Sequence, residues 1–185
     1  MRQIFYQNIF VFILYVVFFW LQKLTFFEIQ NAFQTSPIVL GAASLVFLPH
    51  GVRILSYVFF GPKIFYGLFL AHFVTGLSIN SNYLDISILS TFSAICALIA
   101  IRIYAGSFNL KNLNIFNVKF IFYTSLIAAI INSLSVNTYK LSQGFVFKEI
   151  YTSQIFQYII GDVIGTIVLF YLFIFCKKVV TQSFQ

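Results

Sequence analysis

Four ionisable side chains fall inside otherwise apolar stretches of this sequence: His50, Arg53, His72 and Asp162. An ionised group in hydrocarbon costs several kcal/mol unless it is paired or wetted, so each is a functional candidate by default. An imidazole, a guanidinium and a carboxylate are suited to holding a small polar or anionic molecule. Bond-breaking chemistry has less to stand on. The sequence has no Gly-x-Ser-x-Gly elbow, no paired carboxylates on one helix and no glycine-rich phosphate loop. Ser44, Ser56, Ser90 and Ser133 read as the small residues of helix contacts. No catalytic residue, enzymatic activity or cofactor is therefore expected.

His50 and Arg53 follow a proline. Pro49 removes one backbone donor and its ring clashes with the preceding turn, while Gly51 loosens the next one. Backbone carbonyls freed at membrane depth must line a cavity or face protein. The segment Pro49-His50-Gly51 thus predicts a broken helix, as a kink in a packed bundle or as the wall of a polar pocket. Asp162 lies in Gly161-Asp162-Val163-Ile164-Gly165, whose glycines at i and i+4 share a face and allow a second helix to approach closely. Its carboxylate needs a partner, and Arg53, His50 and Asn132 are the candidates. At ~1.5 Å per residue, Asp162 comes ~12 Å below the outer end of its span, His50 ~20 Å and Arg53 ~24 Å below theirs, and Asn132 ~6 Å. Straight helices would leave Asp162 and Arg53 apart. A bend at Pro49, the long arginine stem or a bridging water would be needed to join them.

Asn132 alone reads as an interhelical hydrogen bond, and His72 as a hydrogen-bonded packing residue. No HxxH, HExxH or CxxC accompanies the histidines, and Cys96 and Cys176 sit apart in apolar runs. Neither a metal site nor a disulfide is expected.

Elements that could position these groups follow from composition. The chain of 185 residues is 61% hydrophobic and 8% charged, with a mean hydropathy of +0.96. A soluble domain needs roughly 25% charged residues to face water, so the solvent here is lipid. A net charge of +7 invites a nucleic-acid reading. The eleven Lys and Arg, however, are scattered between apolar stretches and form no phosphate-binding face. Nucleic acid is excluded as a partner.

The hydropathy pattern predicts a single integral membrane domain over residues 1–185, an all-α bundle of about six spans, each near the ~20 residues needed to cross hydrocarbon. They fall at about 4–21, 37–60, 64–79, 86–104, 118–136 and 154–176. The first reads as an uncleaved anchor, since no small-residue cleavage site follows it. Gly61-Pro62-Lys63 is a tight turn that predicts an antiparallel hairpin of the second and third spans. With the N-terminus inside, seven Lys and Arg (Arg2, Lys63, Arg102, Lys111, Lys119, Lys177, Lys178) fall on the inner side and three (Lys23, Lys140, Lys148) on the outer. Both termini are thereby predicted to be cytoplasmic.

Two stretches carry a family likeness. Leu48-Pro49-His50-Gly51-Val52-Arg53, then Phe60-Gly61-Pro62-Lys63 and Tyr66-Gly67-Leu68-Phe69-Leu70, set out a Pro-x-Gly, apolar run, Gly, aromatic-x-Gly pattern. Tyr158-Ile159-Ile160-Gly161-Asp162-Val163-Ile164-Gly165-Thr166 adds an aromatic, Gly-Asp, Gly pattern in a late helix. In order and spacing these resemble the bacterial membrane-associated sensor (MASE) domain, first type. The resemblance implies a multi-pass sensory input module of the bacterial inner membrane, of the kind that feeds a cytoplasmic kinase or cyclic-di-GMP domain. This sequence has fewer spans than such domains usually have, and ends nine residues after Cys176 with no output domain. It therefore resembles a short stand-alone relative that would signal through a separate protein.

Three readings follow. The first is a non-enzymatic sensor with a pocket walled by His50, Arg53 and Asp162. The second is a small solute transporter or substrate-binding transporter subunit, which a broken helix with polar groups at mid-depth would suit. The third is a structural subunit whose polar residues only lock helix packing.

Overall fold

The computed structural model describes residues 2–33, 46–78, 82–106 and 117–183, with side chains over 2–25, 46–78, 82–106 and 117–177. Among the described residues the apolar runs become six helices: α1 (Arg2–Phe33), α2 (Leu48–Phe60), α3 (Phe65–Leu77), α4 (Tyr83–Ala105), α5 (Val118–Ser142) and α6 (Lys148–Ser183). A single 3-10 turn at Pro62–Ile64 precedes α3, and no strand occurs among the described residues.

Among the described residues, four segments are long and apolar enough to cross a membrane: Arg2–Thr25, Tyr83–Ala105, Val118–Ser142 and Lys148–Lys177. The protein is a multi-pass membrane protein. α2 and α3 have 13 residues each, which at 1.5 Å per residue gives about 20 Å against a hydrocarbon core of roughly 30 Å. α2 and α3 are thus too short to cross it as helices, at about two-thirds of its thickness. Of the predicted span 37–60, residues 37–45 lie outside the described residues. Within the rest, Pro49 does not interrupt a helix. It sits in the first turn of α2, where its missing N–H is no loss and its fixed φ suits a helix start.

α2 is the hub. Every residue from Leu48 to Val58 is buried, and the helix packs on α1, α4, α5 and α6. Around it α4 lies against α5 and α5 against α6, while α3 lies outside, on α1 and α4. The hairpin expected at Gly61-Pro62-Lys63 does not form as a packed pair, since α3 makes its contacts with α1 and α4 instead. The reason lies at the turn itself. Gly61 closes α2 at φ 73°, its N–H bonded to the Tyr57 carbonyl at 2.9 Å, and the 3-10 turn then leads α3 away toward α1.

α1 holds both short helices with one stripe. Asn8, Val11, Tyr15 and Gln22 recur at i, i+3, i+7 and i+14, a spacing that keeps them on one helix face. Asn8 Oδ1 accepts the Gly67 N–H at 2.7 Å and its Nδ2 donates to the Lys63 carbonyl at 3.0 Å, which caps the start of α3. Gln22 Oε1 accepts the Leu48 N–H at 2.9 Å and caps α2. Both bonds satisfy N–H groups of a first turn, which have no intrahelical partner. The opposite face of α1, with Tyr6, Phe10, Ile13, Val17, Trp20 and Leu24 all exposed, is suited to lipid.

Candidate functional site

The start of α2 is seated against the glycine face of α6. The Phe47 N–H donates to the Gly161 carbonyl at 2.9 Å, and a Cβ on Gly165 would overlap the Phe47 backbone. A Cβ on Gly51 would lie 2.9 Å from the Thr166 Cα. Small residues on both sides let the two backbones meet, and this approach brings His50 and Arg53, in the first two turns of α2, to the level of Asp162.

Asp162 falls at the middle of the Lys148–Lys177 segment. Its Oδ2 lies 2.9 Å from His50 Nδ1 and 3.9 Å from Arg53 Nη2, with all three residues at most 1% exposed. Asn132 on α5 bridges the charges with matched polarity. Its Nδ2 donates to Asp162 Oδ2 at 3.0 Å, and its Oδ1 accepts from Arg53 Nη1 at 3.4 Å. On α4, Arg53 Nη1 donates to the Ser93 carbonyl at 3.0 Å, to the Ser93 hydroxyl, and to Cys96 Sγ at 3.6 Å. The guanidinium also lies over the Phe47 ring, 5.8 Å from its centroid. Arg53 therefore reaches from α2 to α4, α5 and α6 at once.

Depths estimated from straight spans had separated Arg53 from Asp162. The structure joins them because α2 starts at Leu48, so that position along a long second span is the wrong ruler. His50, Arg53, Asn132 and Asp162 form one cluster. His72 does not join it: its Nδ1 pairs with the Ser90 hydroxyl at 3.1 Å, and its ring lies against Tyr15. Tyr15 is fully buried on α1.

Sequence reasoning missed Ser93, Tyr15 and Phe47, and took Cys96 for packing alone. Ser93 and Cys96 stand one turn apart beside Ala94, Ala97 and Ala100 on the buried side of α4. That narrow face was a legible sign that something large comes up against it. The large group is the Arg53 side chain, among the biggest fully buried side chains in the protein.

The Pro-x-Gly and Gly-Asp patterns, a hundred residues apart in sequence, are thus two sides of one contact. A family model, MASE1, matches residues 9–185. The chain belongs to the MASE1 family. No curated protein and no solved structure matches it. MASE1 domains are membrane-associated sensory input domains, and the match runs through α2 and α6, so the contact that builds the polar cluster lies within the MASE1 region. The buried polar cluster joins side chains of α2, α5 and α6 and reaches α4 through Arg53.

Proposed function

We propose that this chain is a non-enzymatic sensory module of the bacterial inner membrane, with both termini cytoplasmic, that responds to a small polar or anionic molecule at the Arg53–His50–Asp162 core and passes the response to a separate signalling protein. The observation that carries this reading is Arg53, fully buried among the helices and bonded to α4 and α5 while facing the carboxylate of α6. Buried ion clusters contribute little net stability, because desolvation offsets most of their attraction. One that joins four helices in a sensory family is better suited to switching than to holding. The side chains touch one another, so a ligand acts by displacement: an anion competes with Asp162 for Arg53 and His50, and freed Asp162 relaxes the α2–α6 contact.

The orientation rests on the excess of Lys and Arg assigned to the inner side. The ligand reading is tested by thermal-shift screening of membrane preparations against small anions and polar metabolites. A ligand that binds the folded state raises the melting temperature. The wild type should be stabilised by at least one compound, and Asp162→Ala should lose that shift. A screen in which nothing stabilises the wild type selectively removes the ligand from this proposal.

A second reading, solute transport, draws on α2 itself. A short helix buried at the centre of a bundle, its N-terminus beside charged groups, is how many transporters present a substrate site. Uptake of labelled solutes into cells expressing the chain separates the readings, since a sensor accumulates nothing.

A further inference from the structure

His50 Nδ1 stands between two groups that ask opposite things of it. Arg53 Nη2, 2.8 Å away, can only donate, and Asp162 Oδ2, 2.9 Å away, accepts as a carboxylate. A single ring nitrogen cannot receive a hydrogen bond and give one at the same time. Either Nδ1 is bare and takes the Arg53 proton, leaving Asp162 Oδ2 to Asn132, or Nδ1 carries a proton, gives it to Asp162 and repels Arg53.

We propose that the His50–Asp162 pair is a proton-binding site, and that loading it transfers Arg53 from His50 to Asp162. The inference rests on the polar core being the sensing element, and it names a ligand class for that core. One proton passes from hydronium to His50 Nδ1: an O–H bond of hydronium breaks, leaving water, and the Nδ1–H bond of the imidazolium forms. The imidazolium then donates to Asp162 Oδ2. Arg53 Nη2, now beside a like charge, swings to the carboxylate that lies 3.9 Å off. Arg53 Nη1 is held by Ser93, Cys96 and Asn132, so the swing pulls on α4 and α5 while α2 and α6 are drawn together.

Asp162 from α6, Arg53 from α2 and the Ser125 backbone of α5 lie against His50. The groups around Asp162 and Arg53 in turn are Asn132 of α5, Ser93 and Cys96 of α4 and, at longer range, Tyr57 of α2 and Tyr15 of α1. Access has its own marks. His50 Nε2 and the Ser125 hydroxyl are buried without a hydrogen-bond partner among the described residues, and the Ser125 backbone lies close to the ring. Thr124, the preceding residue on α5, has a buried hydroxyl in the same condition. Polar groups of this kind are the ones internal water satisfies.

The test is a nitrogen NMR titration of the full chain in lipid nanodiscs, labelled at histidine and arginine, from about pH 8 to about pH 5, where imidazoles ordinarily change charge. The His72→Phe variant leaves His50 as the single histidine signal. The expected result is a bare Nδ1 at high pH, two protonated ring nitrogens at low pH, and a shift of the Arg53 Nη resonances in the same transition. Asp162→Asn should move that transition to lower pH. A His50 ring that keeps one state throughout overturns the proposal, and so does a ring that titrates while Arg53 stays unmoved. Both decisive signals keep the polar core intact, so they do not depend on the folding of the Asp162 variant. The ligand screen with small molecules can fail while this titration succeeds, and the reverse, so the two ideas fall separately.

Discussion

Gly165 on α6 faces the backbone of Phe47 so closely that a Cβ placed on it would overlap the Phe47 carbonyl. Four residues earlier on the same face, Gly161 accepts the Phe47 N–H through its carbonyl. The entry to α2 is thereby clamped by backbone on backbone, and the clamp sets the separation between His50 and Asp162.

Gly165→Ala should therefore unfold or reorganise this contact, because backbone cannot give way as a side-chain end can. Overpacking a tight interior typically costs about 1–3 kcal/mol, occasionally more, and Gly165→Ala belongs at the upper end. Gly51→Ala, whose Cβ meets Thr166 Cα at 2.9 Å, should follow it closely. Gly76→Ala meets only the Ile86 Cγ2 at 2.8 Å and should be the mildest. Thermal melts in detergent followed by circular dichroism give the order; a Gly76→Ala loss equal to that of Gly165→Ala would contradict the clamp.

Arg53 and Asp162 should behave as a unit. Removing one partner of a buried ion pair commonly costs about 3–5 kcal/mol, whereas replacing both with apolar groups is often neutral. Arg53→Met and Asp162→Leu alone should each destabilise strongly, and the double variant should recover most of the loss. Under the sensing proposal the recovered double variant is stable and unresponsive to any ligand the screen finds. If it melts like the wild type and still responds, the cluster is packing and nothing more.

Gln22 tests how α1 serves the site from a distance. Its Oε1 is the acceptor for the buried Leu48 N–H at the head of α2. Gln22→Leu leaves that donor unsatisfied, at a cost of about 1–3 kcal/mol, and frees the turn that carries His50. Gln22→Glu keeps the acceptor and should retain more of the fold. Amide hydrogen exchange over 46–52 would report the loosening directly, with the leucine variant exchanging faster than the glutamate variant.

Much of this was legible in sequence, and the part that was not has a physical cause. Charge content and apolar runs identified a membrane bundle, and Gly161 and Gly165, read as a close-packing pair, both lie against the Phe47 backbone. Arg53, His50, Asn132 and Asp162 were recognisable as a set because unpaired ions do not persist in hydrocarbon. Helix length was not legible at Pro49. A proline inside an apolar run reads as a kink in a long span, yet the same residue is equally at home in a first turn. Only the Gln22 and Gly161 partners of the Leu48 and Phe47 N–H groups decide for a start. The small-residue face that carries Ser93 was legible, but its bond to Arg53 was not: it serves Arg53 partly through its backbone carbonyl, and a carbonyl leaves no trace in residue type.

His72 draws the boundary of the site. An ionisable residue at membrane depth whose sequence reading is hydrogen-bonded packing, it bonds to Ser90 and packs on Tyr15, away from Asp162. His72→Phe removes one hydrogen bond, worth about 1 kcal/mol net, and keeps a ring against Tyr15. It should therefore melt close to the wild type and leave any ligand-induced stabilisation intact. His50→Phe, by contrast, strips Asp162 of its nearest partner and should abolish that stabilisation. The comparison of the two in one thermal-shift series is decisive for the site's extent. If His72→Phe also abolishes the response, Tyr15 is not a passive neighbour, and the sensing cluster extends across α1 to α3.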